Sequence, residues 1–175
     1  MLAAPHALVV KITKFPAETA AFSWKLKVVA FAAGALADGY VAEVGRTWPA
    51  DDSANGPTRK LFARSNALYD KMIAACRPGA HTRGLLAAYE AAGEPLPPMP
   101  VAHGLGLGFD PPVVSEMLSA AGEYDRLDAG MVLAISGYVW QEGVGAVFRR
   151  DTVHITDDGV DVLTTSPSWH DLALT

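Results

Sequence analysis

Val28-Val29-Ala30-Phe31-Ala32-Ala33-Gly34-Ala35-Leu36 is followed by Asp38-Gly39 and then by Tyr40-Val41-Ala42-Glu43-Val44-Gly45-Arg46-Thr47-Trp48. The first run is short and apolar, which reads as a buried strand. Asp-Gly is the dipeptide that two-residue hairpin turns favour. Beyond it, Tyr40, Ala42 and Val44 alternate with Val41, Glu43 and Gly45. The period of two completes a β-hairpin, and the rest of the chain is read outward from it.

Downstream, residues 51–57 form a polar loop ending in Gly56-Pro57. From Thr58 to Cys76 the residues Leu61, Phe62, Leu68, Tyr69, Met72, Ile73 and Cys76 fall on one helical face, with the small Ser65 in the step between Phe62 and Leu68. This is an amphipathic helix, stopped by Arg77-Pro78-Gly79. A second helix is expected over Thr82 to Ala92, followed by a rigid connector from Glu94 to Pro100 that holds four prolines. Val101 to Leu107 is glycine-rich. Met131 to Trp140, Val144 to Thr156 and Val160 to Thr165 read as strands, with a turn at Asp157-Asp158-Gly159. A hairpin, two helices and then several strands define an α+β domain. Upstream, Pro5, Pro16 and several lysines interrupt the apolar pattern, so residues 1–27 are expected to be irregular and residues 28–175 to form one domain.

The composition suits a globular fold: 175 residues, 50% hydrophobic and 19% charged. A net charge of −5 argues against nucleic acid, because no strong basic patch is available to meet phosphates. One cysteine, Cys76, excludes an internal disulfide framework and suits a reducing cytoplasm. The apolar run Ala7 to Val10 lacks the basic start and length of a signal peptide. No stretch approaches the ~20 apolar residues of a membrane span. Gly104, Gly106 and Gly108 have the wrong spacing for a dinucleotide loop, and no helix follows them directly. Lys11, Lys14, Lys25 and Lys27 read as a solvated face, and His154 and His170 as surface residues.

Four segments, in order, carry a family resemblance. Asp38 to Trp48 resembles the "GY-x-S-D-x-x-R-T" hairpin strand of the pita-bread metallopeptidases (methionine aminopeptidase, Xaa-Pro aminopeptidase, prolidase, creatinase). His103-Gly104-Leu105-Gly106-Leu107 resembles their "HGIGL" strand. Leu127 to Ser136 resembles "L-x-x-GM-V-x-T-I-E". Arg150-Asp151-Thr152-Val153-His154-Ile155-Thr156, with Asp158-Gly159 and Leu163-Thr164, resembles "E-D-T-V-x-V-T-x-x-G-x-x-x-L-T". The resemblance implies a truncated pita-bread fold, a curved antiparallel sheet backed by helices. It also implies hydrolysis of peptides at or near the N-terminus, often beside proline.

Active members of that family hold two divalent metals with two Asp, one His and two Glu. Adjacent cations need several carboxylates to neutralise them, and together they lower the pKa of a shared water. Residue by residue, those positions fall on Ala32, Glu43, His103, Ser136 and Arg150. A hairpin turn at either Ala37-Asp38 or Asp38-Gly39 puts Ala32 and Glu43 on the same face. Only Glu43 and His103 could still coordinate, and Arg150 places a permanent cation where a ligand belongs. A further family His, seven residues after His103, is here Asp110, a position in the substrate cleft, followed by Pro111-Pro112. His6 is the one candidate for another His that the family carries upstream.

Three functions follow as expectations. The first is a non-catalytic, metal-free module that binds a peptide or protein, with Glu43 pairing to Arg150 in the vacated site. The second is an aminopeptidase or Xaa-Pro dipeptidase with an unusual manganese, cobalt or zinc site on Glu43 and His103. The third is a metal-free hydrolase like creatinase, with His103 as its acid–base group. Ser136 has no evident acid–base partner that would make it a nucleophile. A homodimer or another partner chain is expected to cover apolar surface left by a short front half.

Overall fold

The computed structural model describes residues 7–13, 28–50, 56–117 and 125–169. Its strands are β1 (Ala7–Thr13), β2 (Val28–Ala37), β3 (Tyr40–Pro49), β4 (Ala102–Leu105), β5 (Phe109–Val114), β6 (Val132–Gln141), β7 (Gly145–Ile155) and β8 (Val160–Val162). Two helices, α1 (Gly56–Ala75) and α2 (Arg83–Ala92), lie between β3 and β4 in the chain. The strands form one antiparallel sheet in the order β1-β2-β3-β7-β6-β4-β5, with β8 paired to β7.

The β2–β3 hairpin turns on Asp38 (φ 50°) and Gly39 (φ 90°), both left-handed, as a two-residue turn of this hand requires. Ala37 therefore faces Tyr40, Gly34 faces Glu43, and Ala32 faces Gly45. Residues 1–27, read from sequence as irregular, contain a strand: β1 pairs antiparallel with β2 from Ala7↔Leu36 to Thr13↔Ala30. An edge strand takes its order from the neighbour that accepts its hydrogen bonds, which its own periodicity does not reveal. His6 lies outside the described residues. The strand β5 was also not foreseen, since Asp110-Pro111-Pro112 looks like a breaker. It sits at the sheet edge, and its two prolines fall opposite the bulge between His103 and Gly104, where neither has a ladder partner.

The helices cover one face. Leu61, Leu68, Tyr69 and Met72 of α1 and Leu85 and Tyr89 of α2 are buried with Leu133, Ile135, Val139, Val153 and Ile155 from the sheet. Each fully buried side chain of this size is worth roughly 1.5–3 kcal/mol. Gly93, in the left-handed region (φ 70°), ends α2: its N–H donates to Glu90 O (3.0 Å) and the next N–H, of Glu94, to Tyr89 O (2.9 Å).

The sheet curls toward its other face. Val41 N–H at the start of β3 donates to Gly106 O in the β4–β5 turn at 3.0 Å. Strands β7 and β6 lie between β3 and β4, so in a flat sheet the two would be about 14 Å apart. Strong curvature closes that gap. The junction of β3 and β7 is spaced by two threonines. Thr47 Oγ1 accepts from Phe148 N (2.8 Å) and donates to Phe148 O (2.9 Å). Thr152 Oγ1 accepts from Glu43 N (2.9 Å) and donates to Glu43 O (2.8 Å). Each hydroxyl stands in for a pair of ladder bonds.

Candidate functional site

Strand register gathers the candidate residues on the curled face. Gly45 faces Arg150, Arg150 faces Ser136, and Ala134 faces His103. Side chains two apart on a strand share a face. Ala32, Glu43, Arg150, Ser136 and His103 therefore all point to the same side. Gly45 makes room among them: a Cβ there would lie 2.2 Å from the Phe148 ring and 3.0 Å from Arg150 Cβ.

Arg150 occupies the centre. Its Nη1 donates to Glu43 Oε2 at 2.7 Å, its Nε to Ser136 Oγ at 2.8 Å, and its Nη2 to the Tyr138 hydroxyl at 3.3 Å. The guanidinium carbon lies 5.2 Å from the centre of the Phe148 ring, a cation–π contact. Glu43 and Arg150 are 23% and 21% exposed, so solvent reaches the pair.

His103 is buried. Its Nε2 stands 3.5 Å from Glu43 Oε1, too far for a well-made hydrogen bond, and finds no hydrogen-bonding partner among the described residues. Its ring stacks on Phe109 with centroids 4.0 Å apart. The imidazole beside Glu43 holds that carboxyl below its ordinary range. Arg150 acts in the same direction, and burial opposes both.

The remaining positions do less. Ala32 offers a methyl group and no ligand atom. Ser136 is buried, and its hydroxyl is engaged by Arg150. Asp110 sits at the β4–β5 turn, where its carboxylate fills the space beside Gly106 that a Cβ would occupy. His154 is partly buried on β7, and His170 lies outside the described residues.

The donor set does not fit the divalent metals the family resemblance implies. Among the described residues, no three His, Cys, Asp or Glu side chains converge to hold an ion. Glu43 and His103 are the two available donors, and a guanidinium already lies 2.7 Å from the carboxylate. A divalent ion at Glu43 would sit against a permanent positive charge.

Sequence reasoning did not single out Tyr138 or Phe148. Both were accessible to it, since Tyr138 is two residues after Ser136 and Phe148 two before Arg150, on the same faces of their strands. The motif residues beside the ligand positions also have structural work. Arg46 and Asp151 form an ion pair at 2.6 Å on the helix-covered face.

The sequence profile of metallopeptidase family M24 matches residues 18–157. Among solved structures, the prolidase from Pyrococcus horikoshii OT3 superposes with a TM-score of 0.69 at 24% identity, covering 81% of this chain and 41% of its own. The prolidase from Pyrococcus furiosus gives 0.66 at 25% identity, covering 80% and 42%. Methionine aminopeptidase from Thermotoga maritima gives 0.62 at 20% identity, covering 79% and 64%. The chain thus spans about two fifths of the length of these prolidases. No curated protein sequence matches it. The profile match covers most of the chain, and its sheet is that of the pita-bread fold: the chain belongs to metallopeptidase family M24.

Proposed function

We propose that this domain binds a peptide or protein segment on the curled face of its sheet and does not hydrolyse it with metals. The observation that supports this is the Arg150 guanidinium bridging Glu43 and Ser136, where the family resemblance would put metal ions. The cation is supplied by the chain itself. It neutralises Glu43 without lowering the pKa of a water. The test is hydrolysis of Xaa-Pro dipeptides by the purified chain with added manganese or cobalt. The expected result is no turnover. Turnover that a chelator abolishes overturns the proposal.

One observation favours a second reading, a metal-free hydrolase. His103 Nε2 is buried, unpartnered and 3.5 Å from a carboxylate, which suits a group that takes a proton from a bound substrate. Metal-independent cleavage abolished by His103→Ala would establish it. Full activity in that variant would dispose of it.

Exposed apolar side chains around the hairpin tip and the β4–β5 turn, Leu36, Tyr40, Leu107 and Phe109, support the reading that a partner chain covers this domain. Sedimentation of the purified chain as a monomer at micromolar concentration would count against a homodimer.

A further inference from the structure

An apolar cavity of about 210 Å³ lies beside the site, outside the positions that the family motifs mark. One wall is the connector, with Pro97, Pro98 and Met99, and the other is the β6–β7 hairpin, with Tyr138, Trp140 and Phe148. Two observations connect the cavity to the ion pair. Tyr138 and Phe148 stack with ring centroids 5.0 Å apart, forming the partition between the two. The far side of that partition carries Arg150, bonded to the Tyr138 hydroxyl and lying over the Phe148 ring.

The walls are held in place. Arg64 grips Glu94, at the start of the connector, through two hydrogen bonds of 2.7 Å, and donates a third at 3.1 Å to Gln141 at the end of β6. One side chain thus ties the connector to the hairpin. The prolines add stiffness, because their φ is already set. The two walls are thereby fixed relative to each other.

Among the described residues, Arg150 uses three of its five N–H donors, on Ser136, Glu43 and Tyr138. The others can meet a carbonyl or carboxylate oxygen. Drug-sized ligands occupy pockets of roughly 300–1,000 Å³. This smaller, almost wholly apolar space suits one bulky side chain. We infer that the cavity receives a single large apolar side chain of a peptide whose adjacent carbonyl oxygen is held by Arg150. This rests on the peptide-binding reading and names the sequence preference it would have: phenylalanine or leucine over glycine.

The experiment is calorimetric titration of the purified chain with Gly-Phe-Gly, Gly-Leu-Gly and Gly-Gly-Gly, and separately with p-cresol. Burial of one such side chain predicts binding of the first two about 10- to 100-fold tighter than triglycine. Ala146 lies on the cavity wall opposite Trp140. Ala146→Leu should fill the space and remove that preference. If that variant fails to fold, Trp140→Ala, which removes a partly exposed wall, should reduce the preference instead. Equal binding of all three peptides overturns the cavity assignment and leaves the peptide-binding reading intact. Binding of p-cresol alone, lost in Ala146→Leu, keeps an apolar cavity and overturns the peptide reading. Binding of no probe overturns both.

Discussion

Arg150 and Asp151 are neighbours on β7, yet they point to opposite faces and into opposite environments. Asp151 pairs with Arg46 beneath the helices, with the two side chains 0% and 2% exposed. Arg46 also donates to the carbonyls of Gly45, Arg150 and Ser166, and Asp151 also accepts from Arg149 and Thr164. Asp151 meets two guanidiniums there, Arg46 and Arg149, and the network ties β3, β7 and the segment after β8 together. Arg150 pairs with Glu43 on the curled face, where solvent reaches both and His103 Nε2 has no hydrogen-bonding partner among the described residues. Two ion pairs of similar length therefore do different jobs. The closed one is a structural clasp. The open one holds the face in which a ligand could be accommodated.

Perturbing each pair tests that contrast. Asp151→Ala leaves a buried Arg46 unmatched and should cost about 3–5 kcal/mol, read by chemical denaturation. A loss below 1 kcal/mol would remove the distinction between the pairs. Gly45→Ala, on the seam between them, pushes a methyl group into the Phe148 ring. It should cost about 1–3 kcal/mol as Phe148 and Arg150 shift. An unchanged denaturation midpoint would mean the curled face is looser than its geometry indicates.

Glu43→Gln should cost about 1 kcal/mol or less, because solvent screens the pair, and the loss should shrink further in salt. Glu43 has a folded-state pKa below its ordinary value of 4.5. Its contribution is therefore present above that pH and fades as pH falls through the lowered value. Wild type and Glu43→Gln should thus converge in stability toward low pH. Parallel curves would show that Glu43 contributes nothing. The smallest effect expected is that of manganese, cobalt or zinc, none of which should raise the melting midpoint. A rise that grows with metal concentration would signal binding to the folded chain and turn the open pair back into a metal site.

Much of this was legible locally. The Asp38-Gly39 dipeptide marked the hairpin, and the stripe from Leu61 to Met72 marked α1, because both depend on residues close together in sequence. The alternation of β6 and β7 held enough to place Tyr138 and Phe148 beside Arg150. The edge strands were not legible. Within β1, no periodicity announces a partner, and the prolines of β5 look like a break until a bulge in the edge strand makes them harmless. Arg46 and Asp151 stood in the family motifs without any sign that they would meet under the helices.

By itself, then, the sequence determined the central hairpin, the two helices, the strands β6 and β7, and the shared face of Ala32 and Glu43. Only the tertiary structure decided that Glu43 would lie 2.7 Å from Arg150 and 3.5 Å from His103. The physical reason is range. Turn chemistry and side-chain period act over a few residues. The curl that brings β3 to β4 across two intervening strands comes from sheet twist, the threonine-spaced seam and the helix-packed core acting together.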